Sequence, residues 1–177
     1  MKFKFCIAIL AFKRPEILAD TLASIIEEVK DSNVEICVYD NSPINCSRIV
    51  VDKAKNNYKS IRYISSNMNI GHDENILFAL TRSQSDYLWL IGDGIIIKKG
   101  VLNEIFEAIR RFEPSIIGIN AIARKLDFNS GLYVELNDIL KKFCWHQTLT
   151  GSTVYSKEAL NLIPEIDFKH TKNFPHI

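Results

Sequence analysis

A carboxylate set between two glycines, Gly92-Asp93-Gly94, follows directly on the apolar run Tyr87-Leu88-Trp89-Leu90-Ile91. A run of that length suits a strand buried on both faces and is too short for a free-standing helix. The carboxyl end of such a strand is where open α/β sheets gather their ligand chemistry, and glycines there let backbone and ligand approach closely. An ionised aspartate in that place can hold a cation against a substrate or accept hydrogen bonds from it. The same tripeptide also satisfies a tight turn. A second carboxylate, Asp40, closes another apolar run in Val38-Tyr39-Asp40-Asn41-Ser42-Pro43, where a turn is again the plain alternative.

The elements that must position these groups alternate along the chain. Phe3 to Ala11 reads as a first strand, and Pro15 opens a helix where its missing N–H does no harm. Ile17, Leu18, Leu22, Ile25, Ile26 and Val29 fall on one face of that helix, with charged residues around the other. Val34 to Tyr39 is a second strand, Ser47 is placed to cap a second helix carrying Ile49, Val50, Val51 and Ala54, and Ile61 to Ser65 is a third strand. A helix from Asp73 to Arg82 turns Ile76, Leu77 and Leu80 towards the sheet and leads into the Asp93 strand. Val101 to Phe112 is amphipathic and stopped by Pro114, and Ser115 to Asn120 is a fifth strand. Beyond Ala121 the pattern weakens to a loop at Asp127–Gly131, a helix at Glu135–Phe143, a strand at Gly151–Tyr155 and a helix at Lys157–Leu162. Apolar strands alternating with helices predict an α/β fold, with a mostly parallel sheet covered by helices on both faces.

Composition narrows the function. The chain of 177 residues carries 22 basic against 21 acidic residues, a formal charge of +1, with no long run of either sign. Nucleic acid is therefore not an expected partner, because neutralising phosphates needs a concentrated basic face. Cys6, Cys37, Cys46 and Cys144 show no metal-binding spacing, and Cys6 and Cys37 sit in apolar runs, as core thiols of a reduced, cytoplasmic protein do. No segment reaches the roughly 20 apolar residues that span a bilayer. There is no Gly-x-x-x-x-Gly-Lys-Ser/Thr, and "GDGIII" lacks the third glycine of a dinucleotide fingerprint. A receiver domain would need acidic residues after the first strand, where this chain has Ala11-Phe12-Lys13-Arg14.

Three features survive together: a first strand breaking into "AFKRPE", a second ending in "VYDNSP", and a fourth ending in "LWLIGDG" after an Asn-rich loop. Their order and spacing resemble the nucleotide-sugar-binding half of glycosyltransferase family 2, the inverting GT-A enzymes with a Rossmann-like sheet. The likeness is nearest to bacterial transferases that assemble O-antigen and capsule repeats, the abequosyltransferase-like group. The resemblance implies a nucleoside-diphosphate sugar as donor and a glycan or lipid-linked acceptor. "ILAFKRP" stands where the family packs its chain along the nucleoside, implicating Ala11, Phe12 and Arg14, with Ala and Phe replacing the family's Thr and Tyr. Asp40 matches the acidic residue that accepts from the base or ribose. "NMNIGHDEN" resembles the loop that closes over the nucleotide, through Asn69, Gly71 and Asn75, although Glu74 takes a position where Arg is frequent.

Asp93 matches the first carboxylate of the family's Asp-x-Asp-type metal motif, but Gly94 and Ile95 follow where acidic residues are usual. The family's Mg²⁺ or Mn²⁺ offsets charge on the diphosphate. Three outcomes stay open: a metal on Asp93 alone with Gly94 leaving room, a metal-free enzyme using Lys98, Lys99 or a helix N-terminus, and a non-catalytic nucleotide-sugar-binding domain. Inversion asks for a general base downstream, for which Asp167, His170 and His176 are candidates. "NFPHI" resembles a late Phe-Pro-His segment of related transferases and favours His176, whose side chain has a suitable unperturbed pKa. Trp145 and His146, in "CWHQTLTGS", stand where the family lines its acceptor site. Residues 1–120 are thus expected to form the nucleotide-sugar-binding half and residues 121–177 the acceptor half. That second half is expected to be cut short, with peripheral association at the inner face of the plasma membrane supplied by a region beyond Ile177.

Overall fold

A computed structural model describes residues 3–120 and 130–163. In chain order its elements are β1 (Phe5–Ala11), α1 (Pro15–Val29), β2 (Glu35–Asp40), α2 (Arg48–Ala54), β3 (Ile61–Ser65), α3 (His72–Arg82) and β4 (Tyr87–Gly92). They continue with α4 (Val101–Phe112), β5 (Ile116–Gly118), α5 (Leu136–Gln147), β6 (Thr153–Ser156) and α6 (Lys157–Asn161). All six strands join one sheet in the order β3-β2-β1-β4-β6-β5.

The four strands β1 to β4 are mutually parallel, with registers such as Cys6↔Glu35 and Leu10↔Gly92. β6 then runs antiparallel to β4, through Trp89↔Val154, and to β5, through Ile117↔Val154. The expected parallel α/β sheet is therefore the four-stranded side from β3 to β4, and the whole is a mixed sheet. Trp89 reinforces the β4–β6 join by donating its indole N–H to the Gly151 carbonyl at 2.8 Å.

Both faces of β1, β2 and β4 are covered, as strands that read apolar at every position require. On one face Ile7, Ile9, Val38, Trp89 and Ile91 meet Leu18, Leu22 and Ile25 of α1 and Leu102, Ile105 and Ile109 of α4. On the other, Ala8, Leu10, Tyr39, Leu88 and Leu90 meet Ala79 and Leu80 of α3 and Leu160 of α6. Each large aliphatic side chain buried this way stabilises the fold by about 1.5–3 kcal/mol.

The helix faces are narrower than their sequence pattern. Ile17 and Ile49, expected on buried faces, are exposed, and in α3 Ala79 fills the place against the sheet while Leu77 is half-buried. Ser47 stands at the start of α2 but its hydroxyl does not cap the helix. Among the described residues no helix is long and apolar enough to cross a membrane.

Candidate functional site

The strand order reverses between β1 and β4. The chain leaves β1 to build outward through β2 and β3, and then returns through α3 to the other side of β1. The two connections diverge there and leave a crevice at the carboxyl ends of β1 and β4, the place where doubly wound sheets bind ligands. Backbone bonds hold the strand ends level: Asp93 N–H donates to the Leu10 carbonyl at 3.0 Å and Asn41 N–H to the Ala11 carbonyl at 2.9 Å.

Asp93 lies at the bottom of this crevice, 1% exposed. Its Oδ2 accepts from the Phe12 backbone N–H at 3.2 Å, and its Oδ1 is ion-paired with Nη2 of Arg14. Its carbonyl accepts from the hydroxyl of Thr21, in α1, at 2.7 Å. Pro15 makes this assembly possible, because it starts α1 immediately after Arg14 and turns the chain back across β4. The Arg14 side chain itself is 57% exposed. A buried anion is thus covered by a cation whose outer face is open to the crevice.

Ala11 and Phe12 line the same edge. Ala11 is buried, Phe12 is partly exposed, and the Lys13 ammonium lies over the Phe12 ring at 5.1 Å from its centroid. Lys13 takes a positive φ of 53°, and its N–H donates to the Ser42 hydroxyl at 2.8 Å, clasping the β1 and β2 loops together.

Asp40 is also buried, and its own chain supplies its donors. Oδ1 accepts from Ser42 N–H at 3.0 Å, while Oδ2 accepts from Ser47 N–H at 3.3 Å and from the Tyr63 hydroxyl at 2.7 Å. The Tyr63 phenol is pushed well above its usual pKa, by burial first and by Asp40 next, so it remains a donor. This carboxylate shapes the loop after β2 by holding the Ser42 and Ser47 N–H groups.

Asn41, which the sequence reading leaves inside a turn, joins two loops. Its amide donates to Asn69 Oδ1 at 3.1 Å and to the Gly71 carbonyl at 2.9 Å, and its oxygen accepts from Ile70 N–H at 2.9 Å. Asn69 and Gly71 therefore do face the end of β2, and Gly71 needs its glycine for a φ of 95°. Asn75 is buried below them and donates to the Tyr39 carbonyl at 3.4 Å. Only its position in a loop next to another strand end separates Asn41 from an ordinary turn asparagine.

The glycines beside Asp93 do not serve a close approach by this chain's own backbone. A Cβ at Gly92 would meet nothing within 4 Å, and one at Gly94 would meet Ile17 Cγ2 at 3.6 Å, an ordinary contact. Lys99 lies beside the last turn of α1. The N–H of the next residue, Gly100, donates to Glu28 Oε2 at 2.8 Å, and Lys99 joins Lys30 in holding the Glu27 carboxyl below its usual pKa. That is the far end of α1, about 20 Å along the helix from Arg14. That position sets Lys99 apart from the Asp93 crevice.

The residues at the crevice offer a divalent ion one carboxylate at most. Mg²⁺ and Mn²⁺ take oxygen ligands, yet Gly94 and Ile95 offer none by side chain, and both Asp93 oxygens already accept from Phe12 and Arg14. Among the described residues, the group of three metal-ligating side chains within reach of one another is Cys6, Glu35 and Cys37, at the opposite end of the sheet.

The two acceptor-side residues separate. Trp145 is 76% exposed on α5, whereas His146 is 2% exposed, with Nε2 at 2.5 Å from the Ile119 carbonyl. Asp167, His170 and His176 lie outside the described residues.

Comparison with known proteins places this geometry among others. The family model described as Glycosyl transferase family 2 matches residues 6–161. The chain is 32% identical over 104 residues to abequosyltransferase RfbV of Salmonella typhimurium, a match covering 58% of this chain and 31% of that protein. It thus spans about a third of the length of that curated relative. Among solved structures, S. aureus TarS 1-349 in complex with UDP superposes with a TM-score of 0.74 at 16% identity, covering 98% of this chain and 52% of that one. Mannosyltransferase PcManGT from Pyrobaculum calidifontis, in complex with GDP-Man and Mn²⁺, superposes with a TM-score of 0.65 at 9% identity, covering 91% and 46%. These likenesses establish the GT-A-like fold.

Proposed function

The chain belongs to glycosyltransferase family 2, and we propose that it moves a sugar, with inversion, from a nucleoside-diphosphate donor to a glycan or lipid-linked acceptor in O-antigen-type polysaccharide synthesis. The observation that carries this reading is the crevice between β1 and β4, with Asp93 brought to one edge with Phe12 and Arg14, 81 and 79 residues away in sequence. Support also comes from the relative named an abequosyltransferase and from neighbours crystallised with UDP and UDP-GlcNAc.

In this reading the nucleoside lies along Ala11 and Phe12, under the loop that Asn41 ties down through Asn69 and Gly71. Asp40 acts by holding Ser42 and Ser47 in place. An acceptor hydroxyl attacks the anomeric carbon, its oxygen forms the new bond, and its proton passes to a general base, with His176 or Asp167 the candidates. The bond from the anomeric carbon to the diphosphate oxygen breaks on the opposite face, and the electron pair leaves with the nucleoside diphosphate. The exposed Trp145 ring offers an acceptor sugar a stacking surface.

Calorimetric titration with UDP, CDP, GDP and dTDP tests the donor site. Saturable binding of one of them is expected, and incubation with the matching nucleotide sugar and acceptor should release the nucleoside diphosphate. A folded sample that binds none of the four would sink the reading.

A further inference from the structure

Resting on the reading of this crevice as a donor site, we infer that Arg14, held by Asp93, takes the place of the divalent cation and meets the donor diphosphate directly.

Four observations converge on it. A buried carboxylate without a compensating charge is costly, and here the compensation comes from a guanidinium of the same chain. A guanidinium has five N–H donors in a planar fork suited to phosphate oxygens, and one edge on Asp93 leaves others for a ligand. The exposure of the Arg14 side chain, 57%, puts that outer edge at the mouth of the crevice. The positions that would complete an acidic metal cage hold Gly94 and Ile95, and Lys99 of the same loop lies by the far end of α1.

Asp93 is then a positioning residue. It fixes the rotamer of Arg14, with Phe12 N–H and Thr21 holding the carboxylate from behind. The charge accumulating on the departing diphosphate is met by a cation that is always protonated and already in place. Nucleotide binding should therefore be indifferent to chelators.

The test is calorimetry with UDP, CDP, GDP and dTDP in EDTA and again in Mn²⁺, followed by the monophosphate of whichever nucleoside binds. The full chain is compared with Arg14→Ala, Arg14→Lys and the double variant Arg14→Ala/Asp93→Asn, which leaves no buried charge unpaired if the single alanine variant misfolds. The expected result is equal diphosphate affinity in EDTA and Mn²⁺. Arg14→Ala and the double variant should lose on the order of 10- to 100-fold of it. Arg14→Lys should fall between, and monophosphate affinity should change little, which a general loss of structure would not produce. Binding that requires Mn²⁺ and survives Arg14→Ala would overturn the inference while leaving the donor site standing. Absence of binding to every nucleotide under both conditions would overturn both.

Discussion

At the scale of single residues, buried polar atoms carry most of the organisation at the crevice. Tyr63→Phe removes one donor from the buried Asp40 carboxylate and leaves the ring in place. It should destabilise the protein by about 2 kcal/mol and lower Tm by roughly 4–8 °C in a thermal melt. An unchanged melt would mean that Asp40 does not depend on its own chain for donors. The thiols offer a second check. The Cys6 thiol is pushed well above its usual pKa, first by its hydrogen bond with Cys37 and then by burial, so little thiolate forms near neutrality. Mass spectrometry after iodoacetamide treatment of the native protein at pH 8 should find Cys144, which is exposed, alkylated first. Cys6 and Cys37 should react only after denaturation. Asp93 and Arg14 were each legible in the sequence, but their pairing was not. They stand 79 residues apart, and Arg14 read as part of a nucleoside-packing run instead of as the partner of a carboxylate.

At the scale of elements, α1 is both a core helix and the fastening of the site. Its apolar side is buried on the sheet, while Thr21, itself fully buried, bonds the Asp93 carbonyl. Thr21→Val keeps the shape and removes that bond, at an expected cost of about 1–3 kcal/mol in urea unfolding for the buried carbonyl left unpaired. Diphosphate affinity should fall as well, because the Asp93 turn loses its tether; a stability loss with full affinity would detach α1 from the site. The helices α1 and α4 could be read from periodicity because their apolar positions repeat with the helical turn and Pro15 and Pro114 mark a start and a stop. Periodicity overstated the width of the buried faces of α1 and α2, since it counts Ile17 and Ile49 as apolar without knowing where the neighbouring element stops. It also gave Ser47 a capping role, because a local rule cannot anticipate that the Ser47 backbone is already helical, φ −81° and ψ −15°, where a capping serine is extended.

At the scale of the whole molecule, the feature that no local pattern announces is β6, which returns from beyond residue 120 and inserts between β4 and β5. Strand spacing can count strands and recognise parallel crossovers, but a short strand reads the same whichever neighbour it joins. The insertion bears on whether residues 1–120 form a self-sufficient half. Within that segment β5 pairs only with β6, and β4 would be left with an open apolar edge carrying Leu88 and Trp89. An exposed edge of that kind invites association with other chains. The segment 1–120 expressed alone should therefore aggregate or unfold without a cooperative transition. Trp89 is its sole tryptophan, so its emission reports directly on the β4–β6 join. In the full chain carrying Trp145→Phe, that emission should be blue-shifted and move to the red only in the main unfolding transition. In the segment it should be red-shifted before any denaturant is added. Blue-shifted emission with cooperative unfolding of residues 1–120 would instead show that the four parallel strands and their helices fold without β6, leaving the antiparallel pair as a later addition to the donor-binding half.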